Sequence, residues 1–466
     1  MTYAGAIDNA QRDADRAVKT GIGLLLLSTT ACVVVALTGK AEMLHALVPV
    51  LSVAVGAWFL IFSPAYYVSF VMVLWLFIPF LRRILDYKVG QYSEDPFMMT
   101  APFLVSGLAI LSLIRHREAL RHKVFVPFIA VLVAITFGLI VSIGLGSPVE
   151  AAKSYLAWAG PVMMGMLTII HWKEYPTFRR VLSSTITYSL ILTATYALIQ
   201  YVIFPPWDKM WFIGAEMSSI GKPEPMSVRV WSTLNSPGPY AMTTLAAILI
   251  QLGRGNLVST SASFLGVLGL MLSNVRASWL GLVVGLLFAI SRADGQLQKR
   301  LIVTVGLIVV VGVPLALKSP LADPISDRFS DRVETLGSVE EDGSFQARSS
   351  LYADAPKMIL RSPLGRGLGS DTYDSGWITI FIQLGWFGGI AYVVGLLMVF
   401  FSALGLQKDT LDHFSTFALA ATLVSMLLMF AGSQQGGAMG TFMWTFFGMV
   451  HASSYYNGQA VQRDTR

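Results

Sequence analysis

The feature that most constrains this chain is the length of its apolar runs. Segments such as TVGLIVVVGVPLAL, VPFIAVLVAITFGLIVSIGL and GGIAYVVGLLMVFFSALGL carry no charge. Each approaches the ~20 residues that a helix needs to cross ~30 Å of hydrocarbon. In lipid a backbone must satisfy its own hydrogen bonds, so such runs form helices. A membrane barrel would need short alternating segments instead, and these are absent from the sequence. Only 13% of the residues are charged and the mean hydropathy is +0.64, whereas a soluble protein carries about 25% charged residues. The expected fold is all-α, a polytopic transmembrane helical bundle.

About 12–14 spans are expected from the runs. They fall near 21–38, 44–62, 66–81, 98–114, 124–145, 154–170, 182–204, 238–252, 258–272, 276–290, 301–317, 376–404, 413–431 and 438–452. The hairpin at Ser63-Pro64 and the break at Asn274 are the shortest separators. Basic residues mark one face. Arg12, Arg16 and Lys19 precede the first span, Arg115, Arg117, Arg121 and Lys123 crowd one loop, Lys173, Arg179 and Arg180 another, and Arg292, Lys299 and Arg300 a third. With fourteen spans all of these share one side with both termini, and the positive-inside rule makes that side the cytoplasm. The net charge of +6 is read the same way, and no nucleic-acid partner is expected. The N-terminus, MTYAGAIDNAQRDADRAVKT, is polar, mixed in charge and without a cleavable signal pattern, so the first helix is expected to be retained. Cys32 is the single cysteine, which leaves no disulfide within the chain and no thiolate metal site.

The expected organisation is a cytoplasmic tail at 1–20, transmembrane helices over 21–204, a first periplasmic loop at 205–237 and central spans over 238–317. A large periplasmic loop follows at 318–375, then the last spans over 376–452 and a cytoplasmic tail at 453–466. The large loop is expected to be partly helical, because Leu351, Ala355, Met358 and Ile359 recur at helical spacing. Such a helix suits the membrane surface, and Pro356 within it is expected to kink or end it.

Three segments could carry chemistry. In RVWSTLNSPGPYAMTTL, residues 229–245, Arg229 holds a fixed positive charge and Asn235 and Ser236 can cap the helix after Pro237. A helix N-terminus with an arginine makes an anion site, or else a plain helix entry with an interfacial arginine. In LSNVRASWLGLVVGL, residues 272–286, Arg276 opens an otherwise apolar helix. It either faces a partner or watery cavity or snorkels to the interface. In RSPLGRGLGSDTYDSGWITIFIQLGWFGG, residues 361–389, Gly365, Gly367 and Gly369 suggest a flexible turn, and Asp371 and Asp374 precede a span. No strand precedes it, so this is not a dinucleotide fingerprint. An Asp there can be a general base for a hydroxyl or a helix cap. Arg348, upstream in the same loop, can bind phosphate or pair with an acid. Tyr201, Trp207, Trp211, Phe212 and Trp231 cluster around the first loop; such rings stack on sugars or form the interfacial belt. The Asp13–Asp15 pair has no other ligand type nearby and reads as solvated surface.

Together these segments resemble the O-antigen ligase/polymerase superfamily of bacterial membrane glycosyltransferases. The resemblance covers roughly residues 225–405. It rests on Arg229 before Asn235-Ser236-Pro237, on Ser273-Asn274-Val275-Arg276, on Arg348 in the large loop, on Pro363-Leu364-Gly365-Arg366-Gly367, and on Gly385-Trp386-Phe387-Gly388. Ligases of the family place His-Asn before the last of these helices, whereas this chain has Asp374-Ser375, which looks more like the exopolysaccharide polymerases.

The resemblance implies a polymerase joining undecaprenyl-pyrophosphate-linked repeat units at the periplasmic face of the inner membrane, with no metal and no cofactor. It implies a lipid-linked oligosaccharide as donor and another as acceptor. Inner-membrane lipids and companion flippase, chain-length or export proteins are the other expected partners. Asp374, Arg276 and Arg348 are the expected catalytic residues, and Arg229, Asn235, Arg366, Asp371 and Trp231 the expected substrate contacts. A ligase and a non-enzymatic transporter or flippase are the alternatives. The spans look nearly free of charge, which counts against a transporter.

Overall fold

The computed structural model describes residues 3–94, 96–146, 148–307 and 343–464. It is a multi-pass membrane bundle of helices. The first half contains α1 (Tyr3–Leu37), α2 (Leu44–Phe62), α3 (Pro64–Val89), α4 (Ala101–Gly107), α5 (Ala109–Arg115), α6 (Val126–Gly144), α7 (Pro148–Ile170) and α8 (Tyr175–Ile203). The short α9 (Pro206–Gly214) is followed by α10 (Pro237–Arg254), α11 (Leu257–Leu272), α12 (Arg276–Arg292) and α13 (Gly295–Leu307). The chain ends in α14 (Gly343–Leu360), α15 (Gly376–Leu404), α16 (His413–Leu428) and α17 (Gly437–Asp464).

Thirteen of the expected spans overlap helix; of 301–317 only residues 301–307 are described, as helix, and residues 308–342 lie outside the described residues. Among the described residues, seven stretches are long and apolar enough to cross a membrane. Helices such as α11 and α16, at 16 residues each, extend only about 24 Å. They pack beside longer neighbours, α11 on α8 and α10, and α16 on α12 and α17.

Helix α10 lies at the centre. It touches α8, α11, α12, α16 and α17, and every residue from Tyr240 to Gly253 is buried. A helix that is enclosed on all sides belongs to a core rather than to a lipid face. Helices α7 and α17 pack against each other at close range. A Cβ added at Gly448 would collide with the Thr168 hydroxyl and the Gly165 carbonyl, so only glycine lets these backbones meet.

One end of the bundle is basic. There Arg179 pairs with Asp412 at 2.7 Å, Arg292 donates to the Leu404 carbonyl at 2.7 Å, and Arg300 donates to the Gly253 carbonyl at 2.7 Å. Asp294 caps α13 by accepting from the Leu297 N–H at 2.7 Å, and that bond holds its carboxyl below its ordinary range. A cavity of about 950 Å³ opens at this end, lined in part by Arg179, Arg180, Arg254, Asp294 and Asp412. The three segments singled out above lie at the opposite end.

The structure corrects three expectations. Helix α3 runs to Val89, not to 81, so Arg82, Arg83 and Asp86 are buried within it. Spans nearly free of charge are therefore not what this protein has. Pro356 neither ends nor breaks α14, which continues to Leu360. The apolar face of α14 is also not free at a surface: Leu351, Tyr352, Met358 and Ile359 pack with Ala355 against Ile378 and Ile382 of α15.

Candidate functional site

The segment before α10 is extended and held from both sides. Arg229 N–H donates to the Ile220 carbonyl at 2.8 Å, and Val230 N–H donates to the Leu272 carbonyl at 3.2 Å. The N–H groups of Trp231 and Ser232 both donate to Gln200 Oε1, at 2.9 and 2.8 Å. Ser232 sits in the left-handed region at φ +53°. Proline at the first position of α10 then starts the helix with a preset φ.

Two expectations fail here. Ser236 is the residue at the cap position of α10, but its side chain makes no capping bond. Asn235 is not the cap either; its Oδ1 is buried without a hydrogen-bond partner among the described residues. Trp231 offers no face to a sugar and none to a membrane interface. It is fully enclosed, at 0% exposure, with Trp211 at 5.3 Å, Phe204 at 6.1 Å and Phe212 at 6.1 Å between ring centroids.

Arg229 is half-buried and its Nε donates to the Ser273 carbonyl at 3.2 Å. That carbonyl closes α11. Asn274 follows at φ +55°, reversing the chain, and Arg276 is the first residue of α12. Two arginines thus belong to one junction, at the positive end of the α12 dipole. This arrangement favours a bound anion.

The third segment is strapped onto α15. Arg366 N–H donates to the Ile382 carbonyl at 2.8 Å, Gly367 N–H to the Gln383 carbonyl at 3.1 Å, and Trp386 N–H to the Pro363 carbonyl at 2.9 Å. Gln383 Nε2 donates to the carbonyls of Ser370 and Asp371. Leu368 is tied to α6, where the Ser142 hydroxyl donates to its carbonyl at 2.8 Å. α15 exposes these carbonyls because it breaks at Gly385, at φ +67° and ψ −167°. The glycine-rich turn is therefore a fixed strap rather than a flexible turn.

Two carboxylates leave this strap. Asp371 forms an ion pair with Arg366, both of them about half-exposed. Asp374 is exposed and is not the helix cap. That role belongs to Ser375, whose side chain accepts from the Ile378 N–H at 3.4 Å. Tyr352 of α14 donates to Ser375 Oγ at 2.8 Å, so the large loop is fastened at the same point. Arg348 falls on α14, with its side chain outside the described residues.

The first and second segments touch directly. The third reaches them through the turn between α16 and α17. Gly376 N–H donates to the carbonyls of Met429 and Gly432, and Gln434 Nε2 contacts Met242 Sδ on α10. Gln434 and Gln435 are buried in this turn, and Gln435 Oε1 has no hydrogen-bond partner among the described residues.

Residues 261–393 match the family model described as O-antigen ligase. This segment of the chain is similar to the O-antigen ligases. The match runs from α11 through the first half of α15, so it contains Arg276, Arg348, Arg366, Asp371 and Asp374, while Arg229, Trp231 and Asn235 precede it. The chain is also similar to an uncharacterized protein of Haemophilus influenzae, 26% identical over 213 residues. Those residues are 44% of this chain and 49% of that protein, so the chain spans about half the length of the curated relative it matches.

Gln200, Arg83, Asp208, Gln434 and Gln435 were not expected from the sequence. Gln434 and Gln435 had a readable signal, two consecutive amides in SQQGG between apolar helices. The other three had only their cost: a buried charge or amide must be answered by a partner.

Proposed function

We propose that this chain is a membrane glycosyltransferase of the polymerase type, acting on glycans carried by undecaprenyl pyrophosphate. By the positive-inside rule the basic end with both termini faces the cytoplasm. The site then opens to the periplasm from the inner membrane. The observation that carries the reading is the Arg229–Ser273 bond, which ties one guanidinium to the junction that starts α12 with another, Arg276.

The chemistry is a substitution at carbon. The terminal hydroxyl oxygen of the acceptor glycan attacks the anomeric carbon of the donor. A new C–O glycosidic bond forms as the C–O bond to pyrophosphate breaks, and the electron pair leaves with the lipid pyrophosphate. Guanidinium groups pair bidentately with phosphate oxygens and stay charged, so Arg229 and Arg276 stabilise the charge that builds on the leaving group. Arg348 is the third such candidate. Asp374 accepts the hydroxyl proton, with its carboxylate uncommitted to capping. Arg366 and Asp371, paired on the strap, line the approach of the glycan.

The family match, described as an O-antigen ligase, favours a second reading in which finished glycan passes to a different acceptor. A deletion strain separates the two. Accumulated single lipid-linked units support the polymerase, and accumulated lipid-linked polymer supports the ligase. Replacing Arg276 by Ala and by Lys tests the site itself. Normal polymer yield and length from the alanine variant at normal protein level would overturn the pyrophosphate role; a fully active lysine variant would mean that charge alone suffices, and a dead lysine variant supports bidentate pairing.

A further inference from the structure

Arg83 and Asp208 form an ion pair in which both side chains have 0% exposure. Arg83 lies near the end of α3, and Asp208 in the first turn of α9. Arg83 Nη1 donates to Asp208 Oδ1 at 2.6 Å and Nη2 donates to the Ser232 carbonyl at 2.5 Å. The other carboxylate oxygen accepts from the Tyr196 hydroxyl at 2.7 Å and from Gln200 Nε2 at 2.9 Å. Gln200 Oε1 in turn accepts both N–H groups of Trp231 and Ser232, and the Ser232 hydroxyl donates to the Thr193 carbonyl at 2.5 Å.

A buried ion pair is a poor device for stability alone. Its desolvation cost is large, and apolar residues of similar volume often serve as well. A pair that only fastened α9 to α3 would also have no need of Ser232. Here the pair and Gln200 bond the N–H and C=O of that residue, and Ser232 is held at φ +53°, a conformation that a residue with a side chain keeps only when its surroundings impose it. Immediately upstream, Val230 and Arg229 are bonded to Leu272 and Ser273. The segment is thus clamped between the polar network on one side and the end of α11 on the other.

We propose that Arg83, Asp208 and Gln200 are positioning residues for the transfer reaction. They fix the Trp231–Ser232 turn so that Arg229 meets Ser273 and stands with Arg276 at the head of α12. The inference rests on the pyrophosphate reading given above. Misplacing a reacting or charge-stabilising group by about 1 Å costs roughly a hundredfold in rate, so a network that sets this register has kinetic consequences without touching substrate.

The test uses the full-length protein in proteoliposomes with a lipid-linked repeat unit as substrate. The double variant Arg83→Met/Asp208→Leu removes both charges together, and its thermal midpoint is expected to stay near that of the native protein. Its kcat is expected to fall roughly a hundredfold with KM for the lipid-linked donor changed little. Arg83→Lys, which keeps the charge but loses the two-partner fork, is not expected to restore kcat. Gln200→Leu removes only the acceptor of the two N–H groups and is expected to lose kcat in the same way, which decides the matter should the double variant fail to fold. Native kcat per folded molecule in the double variant or in Gln200→Leu overturns the proposal. Arg229→Ala and Arg276→Ala are assayed beside them. If those two stay active, the pyrophosphate reading itself has failed; if they are inactive while the network variants are not, only the positioning role falls.

Discussion

Arg229 Nε donates to the carbonyl oxygen of Ser273 at 3.2 Å, across 44 residues of sequence. The bond fixes the plane of the guanidinium, because Nε and the two terminal nitrogens are coplanar. A lysine at this position keeps the charge and loses the plane. Arg229→Lys is therefore expected to insert normally and to lose roughly tenfold to a hundredfold in polymer yield per molecule. The yield and the amount of membrane-inserted protein are measured together. A lysine variant that matches the native protein means that charge alone suffices at Arg229.

Trp231 gives a prediction of the opposite kind. Its ring fills the centre of a cluster with Trp211, Phe204 and Phe212. Trp231→Ala is expected to cost about 3–5 kcal/mol through the cavity it leaves, read as a lowered thermal midpoint in detergent, and Trp231→Phe less. A variant with a native midpoint but weakened acceptor binding would instead restore the sugar-stacking role that burial argues against.

What could be read in the sequence follows from how local each signal is. Apolar runs are contiguous, so each span was visible within its own window, as was the turn at Asn274. The third span was expected to stop at 81, just before Arg82-Arg83, yet it runs on to Val89, and the partner that answers Arg83 lies 125 residues away. Asn235-Ser236-Pro237 has the residue types of a cap, yet Ser236 is extended at φ −159° with its side chain unused. The strap showed three glycines, and glycine permits motion and permits tight contact equally well. Only the bonds to Ile382, Gln383 and Gly138 decide between them.

The strap leads to a prediction about Gly385. At φ +67° and ψ −167° its backbone lies in a region essentially closed to other residues, at a strain of about 1–3 kcal/mol. A Cβ there would also strike the Pro363 carbonyl and the Gly365 nitrogen. Both neighbours are backbone and cannot swing aside. Gly385→Ala is expected to detach residues 363–371 from α15, seen as new protease cleavage in the strap and as lost transfer. Gly144 has nothing within 4 Å of an added Cβ, so Gly144→Ala should leave both readouts native. Equal behaviour of the two variants would mean that the break at Gly385 does not hold the strap.

Asp371 and Asp374 stand three residues apart, and their surroundings separate their roles. The Asp371 carboxylate is committed to Arg366, an exposed pair of the kind worth little to stability but sufficient to occupy its oxygens. Asp374 has no hydrogen bond or ion pair among the described residues, since Ser375 has taken the capping position. Asp374→Asn keeps the shape and removes the proton acceptor, so transfer is expected to fall by about 10²–10⁴ while the fold is unchanged. Asp371→Asn is expected to fall far less. Asp374→His supplies a different acceptor at the same point, and partial recovery relative to Asp374→Asn is expected. The rate of glycosidic bond formation with a fixed lipid-linked donor checks all three. If the asparagine variant transfers at the native rate, the hydroxyl proton leaves by another route and Asp374 is an ordinary loop carboxylate. If histidine works where asparagine does not, proton acceptance at this position is required, and the Asp374-Ser375 pair is a variation in the identity of the base rather than the loss of one.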